Sequence, residues 1–338
     1  MAAPTKSPTL LDLAKVAGVS ASTVSRSLNN HGSISATTKG RIFAIARELG
    51  YPTAPDLDAS EESQALDDSI SIITPRVHGV PLPLSHPFFL ELIASIGEAA
   101  RERGCDFSIR HTVPANFDDL LSTTRMSRVK GAIFLGQGSL HHAFNRLAAS
   151  DARFVVWGAQ LPGQSYCSVG SDNQLGGRRA TLHLIRLGRR RIAFLGGSDP
   201  ESNQRRAGYL SALSEQRIEP DPALIGRVEF ELENAEAAVD GLLRQGVKFD
   251  AIVAASDLIA MGAIRSLWRS GISVPGDVSV VGYDDVLLAR LSTPSLSTIR
   301  QDTQKGGRLM VSKIIDGSLD NHPEILSAEL IVRESCGA

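Results

Sequence analysis

The first fifty residues carry apolar side chains at the spacing of an amphipathic helix. Four of them recur at intervals of three and four residues: Leu10, Leu13, Ala14 and Ala17. Thr9 precedes this run and Asp12 follows it by three residues, which is the arrangement of a reciprocal N-terminal cap. Gly18 then ends the pattern, because glycine readily adopts the left-handed conformation of a helix C-cap. We therefore predict a first helix with one buried face.

A tight turn and two further helices follow. Val19 is expected to pack between the first two helices, and Ser20 can cap the second, which runs from about Ala21 to Leu28. A third helix from about residue 36 to residue 49 has an apolar stripe formed by Ile42, Ile45, Ala46 and Leu49. Two short helices joined by such a turn are typical of a helix-turn-helix and indicate sequence-specific DNA binding.

The amino-terminal end of the second helix enters the major groove in this motif. Arg26 could reach a guanine edge or a phosphate, whereas Ala21 and Ser22 could contact a thymine methyl or a single acceptor. On the third helix, Arg41 and Arg47 are interpreted mainly as phosphate contacts. The predicted DNA-contacting residues are Thr9, Ser20, Ala21, Ser22, Thr23, Ser25, Arg26, Asn29 and Lys39.

From Ser69 onward, short apolar strands alternate with segments of helical periodicity. The strand-like runs include SISIITP, KGAIFLG and RFVVWG in the first half and RRIAFLGG, DAIVAAS and VSVVGYDD in the second. Alternation of this kind predicts parallel sheets built from right-handed crossover units, and there are enough strands for two sheets.

Several motifs carry a family resemblance. Leu10 to Asn29 reads L-x-D-L-A-x-x-A-G-V-S-x-x-T-V-S-R-x-L-N, and it is followed by S-A-x-T from Ser35 and by E-L-G-Y ending at Tyr51. The chain resembles the lactose repressor and galactose repressor (LacI/GalR) family of bacterial transcription regulators over nearly its whole length. The resemblance implies an allosteric homodimer that binds a palindromic operator in double-stranded DNA and is switched by a small ligand.

The expected fold is an N-terminal all-α helix-turn-helix domain followed by an α/β bilobed core that resembles periplasmic binding proteins. We place the DNA-binding domain at 1–55, an acidic hinge or linker at 56–68 and the effector-binding and dimerisation core at 69–338. Within the core, the first lobe is expected at about 69–168 plus 298–330. The second lobe is expected at about 169–294 plus the C-terminal segment.

Charge is distributed unevenly along the chain, although the net charge is only −2. Residues 1–55 carry six basic and two acidic side chains, a balance of +4, whereas residues 56–69 carry six acids and no base. Only the first segment has the sign that DNA phosphates require. The acidic segment departs from the basic, small-residue hinge of the family.

Two structures of this acidic segment are possible. Pro52 and Pro55 disfavour an early helix, and acids are repelled by the electronegative minor groove, so a solvated flexible linker is favoured. The alternative is an apolar wedge supplied by Leu57 or by the Ala65-Leu66 pair, which would insert into DNA.

Ligand sites in parallel sheets gather at the carboxyl ends of strands, so we searched there for polar and aromatic residues. Arg205 matches the family motif R-x-A-G-[WY], and Asp284 matches its effector-binding aspartate. Asp172 matches the aspartate at the lobe crossover. The predicted effector-binding residues are Phe88, Phe89, Trp157, Asp172, Arg205, Ser256, Asp257 and Asp284. The alternatives are a surface ion pair for Arg205, helix N-caps for the two matched aspartates and core positions for the aromatic residues.

A carboxylate and an arginine beside an aromatic ring suit a sugar. The two charged groups can hydrogen-bond its hydroxyl groups, and the aromatic ring can cover its apolar face. We therefore expect a repressor of sugar uptake or catabolism genes that a sugar releases from its operator. A purine- or nucleoside-responsive regulator is the alternative effector class. A cytosolic sugar-binding sensor with impaired operator control is a second alternative.

Composition and motifs narrow the remaining possibilities. Three scattered cysteines, Cys105, Cys167 and Cys336, form neither a disulfide framework nor a metal-ligand spacing, which favours a reducing cytoplasm. We find no signal peptide, no membrane-spanning run, no P-loop and no nucleophile elbow. We therefore expect a cytoplasmic, non-enzymatic homodimer that uses no metal or cofactor.

Overall fold

The computed structural model of this chain describes residues 9–28, 34–49, 51, 69–74, 76–77, 80–81, 86–110, 112–125, 129–229, 231–317 and 322–338. The chain divides into two compact units, Met1–Asp68 and Ser69–Ala338. Asn29, Arg47's side chain and the whole predicted hinge at 56–68 lie outside the described parts.

The described residues of the first unit form three helices, α1 (Leu10–Ala17), α2 (Ala21–Leu28) and α3 (Ala36–Leu49). Thr9 and Asp12 form the predicted capping box, and Gly18 adopts φ 64°, the left-handed C-cap. The side-chain oxygen of Ser20 accepts a hydrogen bond from Thr23 N at 3.1 Å. The local caps therefore form as the sequence predicts, because each needs only residues within one helical turn.

The small core of this unit lies where the three helices meet. Its fully buried members are Leu13, Ala14, Ala17, Val24, Ile42 and Ala46. One expectation for α3 is wrong, because Leu49 is 38% exposed and does not complete the buried stripe. Arg41 donates to the carbonyl oxygen of Ala17 at 2.7 Å and so holds the end of α1, while its phosphate contact stays a prediction.

The described residues of the second unit form two six-stranded sheets. The first has the order β13-β7-β6-β5-β1-β4 and is parallel throughout. Its strands are β1 (Ser69–Ile73), β4 (Asp106–Arg110), β5 (Gly131–Leu135), β6 (Phe154–Trp157), β7 (Ser168–Ser171) and β13 (Glu324–Leu326). The flanking helices are α4 (Pro87–Glu102), α5 (Phe117–Arg125), α6 (His141–Ala148) and α12 (Thr303–Ile315). A short hairpin of β2 (Arg76–Val77) and β3 (Val80–Pro81) follows β1.

The second sheet has the order β14-β12-β11-β10-β8-β9, in which only β14 is antiparallel to its neighbour. Its strands are β8 (Ile192–Gly196), β9 (Ile225–Arg227), β10 (Ala251–Ala254), β11 (Ser279–Asp284), β12 (Ser297–Arg300) and β14 (Glu329–Ile331). Its helices are α7 (Asn173–Arg186), α8 (Pro200–Glu215), α9 (Leu232–Arg244), α10 (Asp257–Arg269) and α11 (Leu287–Leu291). Two sheets with helices on both faces form the expected bilobed α/β core.

The chain passes between the lobes three times, after β7, after β12 and between β13 and β14. The first sheet therefore includes residues 168–171, and the second includes residues 297–300. Both boundaries lie a few residues later than the expected 169 and 298. The strands concerned, SVGS and STIR, are short and weakly apolar, so their periodicity carries little signal.

Glycines allow α7 and α8 to approach closely at one crossing. A Cβ atom at Gly177 would collide with the backbone carbonyl of Arg205, and one at Gly208 would collide with the carbonyl of Gln174. Only a residue without Cβ fits such a contact. The crossing sets the position of Arg205 in the second lobe. None of the described helices is long and apolar enough to cross a membrane.

Candidate functional site

The exposed side of α2 is the candidate DNA-reading surface. Ser22 and Arg26 lie four residues apart and are both exposed, so they share one face of the helix. No hydrogen bond or ion pair within the described residues holds the Arg26 guanidinium. Ser20 bonds the hydroxyls of Ser22 and Thr23, each at 2.8 Å. Ala21, Thr23 and Ser25 are half-buried.

Two other predicted DNA-contacting residues, Thr9 and Lys39, lie outside α2. The Thr9 hydroxyl donates to Asp12 Oδ2 at 2.6 Å and is exposed, so its first role is to cap α1. Lys39 is half-buried near the start of α3. The described part of the first unit thus presents a short polar face on α2, and arginine is its strongest base-reading group.

A cavity of about 350 Å³ lies between the two lobes of the second unit. Its walls are built where strands end, since β5, β6, β8 and β11 all deliver residues to it from their carboxyl ends. The lining residues are His86, Phe88, Phe89, Leu135, Gly136, Gln137, Gly138, Ser139, Trp157, Ser198, Asp199, Pro200, Glu201, Asn203, Arg205, Asp284 and Gln301. Its volume suits a small organic ligand.

Aromatic residues form the wall on the first lobe. Phe88 stands edge-on to Phe89 with ring centroids 5.2 Å apart, and it lies 5.7 Å from the ring of Trp157. Phe88 and Trp157 are almost fully buried, whereas Phe89 is half-buried. All three line the cavity and also pack into the core, so the predicted effector contact and the alternative core position are compatible for each ring.

Arg205 supplies a buried cation on the second lobe. Its Nε donates to Asn173 Oδ1 at 2.8 Å, and its Nη1 donates to the carbonyl of Ala255 at 2.5 Å. The guanidinium lies 3.6 Å from the centroid of the Tyr283 ring, a cation–π contact. Arg205 is therefore held rigidly by the protein, and fewer of its donors are available to a ligand than the sequence suggests.

Asp284 faces Arg205 across the cavity wall, with Oδ1 lying 3.9 Å from Nη1. Gln301 donates to the same oxygen at 2.7 Å. Burial raises the pKa of Asp284 to about 7, although Arg205 and the Gln301 hydrogen bond oppose the rise. Its backbone φ of 121° is strained for a residue with a Cβ atom, and such strain is often found at functional sites.

A second acidic group lies on the first turn of α8. Asp199 caps this helix by accepting from Ser202 N, and Glu201 is its second residue. Burial raises the pKa of Glu201 to about 7, and the charge of Asp199 adds to this rise. Burial also lowers the pKa of His86 to about 4. The cavity therefore contains three carboxyl groups and a histidine that is neutral at pH 7.

Three predicted effector-binding residues do not line this cavity. Asp172 caps α7 by accepting from Leu175 N at 2.9 Å, and it borders a smaller cavity of about 230 Å³ at the lobe crossover. Ser256 caps α10 by accepting from Ile259 N at 3.2 Å. Asp257 is fully buried, and its two oxygens accept from Thr298 Oγ1 and Val286 N. These side chains hold the fold beside the site.

Sequence reasoning missed most of the polar lining. Gln137 follows β5, and Asp199 and Glu201 follow β8, so the rule of strand ends was sufficient to find them. Gln301 had no comparable signal because β12 was not predicted. His86 precedes α4 outside any apolar run.

Comparison with known proteins agrees with this organisation. Residues 9–54 match the family of bacterial regulatory proteins of the lacI type, and residues 181–336 match the periplasmic binding protein-like domain. The transcriptional regulator AscG of Escherichia coli K12 is 30% identical over 97% of this chain and 98% of its own length. The chain belongs to the LacI family of bacterial regulatory proteins. It is a ligand-responsive DNA-binding transcription regulator.

Other LacI-family proteins extend the likeness. The regulator CelR of Thermobifida fusca is 32% identical over 97% of this chain and 98% of that protein. A solved complex of CelR with cellobiose has a TM-score of 0.69 at 29% identity and covers 97% of this chain and 99% of that one. A lac repressor dimer bound to operator and an anti-inducer has a TM-score of 0.70 at 25% identity and covers 98% and 100%. These relatives are transcription regulators, not enzymes.

Proposed function

We propose that this chain represses genes of sugar uptake or catabolism and leaves a palindromic operator when a sugar binds in the interlobe cavity. The arrangement of that cavity is the observation that carries the proposal. Phe88, Phe89 and Trp157 form an aromatic wall that suits the apolar face of a sugar ring. Arg205 and Asp284 on the other lobe suit hydroxyl groups, which both donate and accept hydrogen bonds.

The relatives support a sugar as the effector class. CelR has been solved with cellobiose, and another relative, 29% identical over 97% of this chain, is the ribose operon repressor of Haemophilus influenzae. The nucleoside alternative has less support, because the two relatives just named are a regulator solved with cellobiose and a ribose operon repressor.

We further propose that Ser22 and Arg26 of α2 read operator bases, with Thr9, Ser20, Thr23 and Lys39 as neighbouring contacts. The guanidinium of Arg26 is exposed and makes no hydrogen bond or ion pair with the described residues, which supports this assignment because arginine binds guanine edges with paired donors. Asn29 belongs to the same proposal from its place in the family motif alone.

A homodimer fits both the operator and the surface of the second lobe. One recognition helix reads too few base pairs for specificity in a genome, so two copies are needed. Helix α11 exposes Leu287, Leu288 and Leu291 at 56%, 46% and 69%. An apolar patch of this kind favours a protein contact, and a second copy of the chain is the proposed occupant.

The proposed mechanism is a shift between two arrangements of the lobes. A sugar that contacts both walls of the cavity binds the closed arrangement more tightly than the open one. The same ligand therefore changes operator affinity if the two arrangements hold the paired DNA-binding units differently.

Selection of bound genomic fragments by the full-length protein, at about 0.15 M salt, tests this function. We expect an enriched palindrome whose binding weakens when one saccharide of a panel is added. Failure to enrich any sequence, together with saccharide binding, would instead favour a sugar sensor without operator control. Sedimentation equilibrium at micromolar concentration tests the dimer, and a stable monomer or tetramer would contradict it.

A further inference from the structure

Two acidic residues at the start of α8 line the cavity, Asp199 as the N-cap and Glu201 as the second residue of the helix. Asp199 uses Oδ1 to accept from Ser202 N at 2.8 Å, while its Oδ2 is buried and has no hydrogen bond within the described residues. Glu201 accepts from Ala159 N of the first lobe at 3.3 Å, a long contact. We call Asp199 and Glu201 the acidic pair.

The charges around the acidic pair are poorly balanced. Arg205 is the only arginine or lysine among the described residues that line the cavity. It faces Asp284 and spends Nε and Nη1 on Asn173 and Ala255, so it offers limited compensation to the pair. His86 is uncharged at neutral pH because burial lowers its pKa. Three carboxyl groups therefore share one cation.

Gln137 adds an unsatisfied acceptor to the lining. The Nε2 of Gln137 donates to the carbonyl of Ala159 at 2.6 Å and to the hydroxyl of Tyr166 at 2.8 Å. These two bonds orient the amide, because a flipped amide would turn its oxygen toward the Ala159 carbonyl. The Oε1 of Gln137 is left buried and without a hydrogen bond in the described residues. A ligand that supplies donors would satisfy it and Asp199 Oδ2.

These features discriminate among ligand charges. An anionic ligand is repelled by the acidic pair, and a neutral ligand desolvates the pair without compensating its charge. A protonated amine brings both a positive charge and up to three donors, so it binds carboxylates by charge-assisted hydrogen bonds. The imbalance already has a cost without ligand, since burial and Asp199 raise the pKa of Glu201.

We propose that the effector carries a protonated amino group, as in an amino sugar, and that Asp199 and Glu201 bind this group. The inference rests on the proposed sugar-responsive function and narrows its effector class. The aromatic wall would hold the ring of the ligand while the acidic pair selects its charge. Asp199 and Glu201 are specificity-determining residues in this proposal.

Matched probes test the proposal on the full-length protein at pH 7.5. Isothermal titration compares glucose, glucosamine and glucuronate, then galactose, galactosamine and galacturonate, with putrescine as an amine that lacks a sugar ring. We expect at least one amino sugar to bind about 10-fold or more tightly than its neutral counterpart, which is the effect of one charge-assisted bond. We expect the uronates to show no binding.

Two isosteric variants test whether the acidic pair causes the tighter binding of amino sugars. Asp199→Asn and Glu201→Gln should each weaken amino-sugar binding by about 10- to 100-fold, the range for a hydrogen bond to a charged group, and bring it close to that of the neutral sugar. Glu233→Gln is the matched control, because Glu233 is exposed on α9 and outside the cavity lining, and should leave binding unchanged. Thermal unfolding of each variant verifies that it folds.

The outcomes separate this inference from the proposed function. Tighter binding of a neutral sugar or a uronate than of any amine overturns the amine inference and leaves a sugar-responsive regulator. If putrescine binds and no saccharide does, the amine inference is supported and the sugar effector class is overturned. Failure of every probe to bind a folded, operator-competent protein overturns both.

Discussion

Glu91 of the first lobe accepts a hydrogen bond at 2.7 Å from the backbone N–H of Leu287 in the second lobe. Glu91 projects from α4, and Leu287 begins α11. Two other contacts also bridge the lobes, from Ala159 N to Glu201 and from Gln204 to the carbonyl of Gln160. Since such bonds require the lobes to be close together, they favour the closed arrangement of the core.

Replacing Glu91, which does not itself line the cavity, with alanine should therefore weaken effector binding. Loss of one bridging hydrogen bond to a charged acceptor should lower affinity by about 3- to 10-fold, because closure then costs more free energy. Titration of the effector against both proteins measures this change. Glu98→Ala is the control, since Glu98 is exposed on the same helix, and equal losses in the two variants would refute a role in closure.

Arg205 and Asp284 form a buried ion pair in which each side chain balances the charge of the other. Arg205→Met leaves Asp284 facing the cavity without its cation, so unfolding free energy should fall by about 3–5 kcal/mol. The double variant Arg205→Met with Asp284→Asn should recover part of this loss, because position 284 then carries no carboxylate that lacks its cation. Urea denaturation of the two single variants and the double variant measures the coupling. Strict additivity would show that the two residues do not interact.

Stability should depend on pH through the buried carboxyl groups. The pKa values of Glu201 and Asp284 are raised to about 7 in the folded state, above the ordinary values of 4.5 and 3.8. Through these two groups the folded protein binds more protons than the unfolded chain between about pH 4 and pH 7, whereas the lowered pKa of His86 acts in the opposite direction. The contribution of Glu201 and Asp284 to the unfolding free energy consequently decreases as pH rises through this window and levels off above it.

The variant Glu201→Gln tests the pH dependence. A neutral amide cannot ionise, so the variant should gain stability relative to the natural chain as pH rises from 5 to 8, by a few kcal/mol at most. Urea denaturation at each pH unit measures the difference. A difference that stays constant across this range would show that Glu201 does not titrate in it.

Substitution of two arginines of the first unit should have different effects on operator affinity and on stability. Arg26→Ala removes an exposed side chain, so operator affinity should fall by about 10- to 100-fold with unchanged stability. Arg41→Ala removes the hydrogen bond to the Ala17 carbonyl, so stability of this unit should fall as well. Operator titration and thermal unfolding distinguish the two. Equal destabilisation by both substitutions would contradict the assignment.

Two glycines in helices of the second lobe offer a matched pair. Gly177→Ala places a methyl group against the backbone of Arg205, so it should destabilise the protein by about 1–3 kcal/mol or more. Gly241→Ala on α9 has open space and should stabilise it by about 0.5–1 kcal/mol. Denaturant unfolding measures both. The same sign for the two changes would mean that the α7–α8 crossing is less tight than described.

Short-range patterns predicted much of this fold. The capping box of Thr9 with Asp12 and the left-handed Gly18 formed as expected, because their physics lies within one turn of helix. The buried strands that precede Trp157 and Asp284 were likewise visible as continuous apolar runs. Strands β7, β12 and β13 were not predicted. They are short, and their pairing depends on neighbours distant in sequence.

The candidate site, too, was predicted only in part from the sequence. The sequence alone determined that Arg205, Asp284 and Trp157 lie at the ends of strands or on the helix that follows one, where ligand cavities form. Only the tertiary structure decided that Asp257 turns inward to Thr298 and Val286, and that Glu201 enters the cavity. A strand end specifies an edge of the sheet, whereas the direction of a polar side chain there depends on which donors the rest of the fold brings within hydrogen-bond distance.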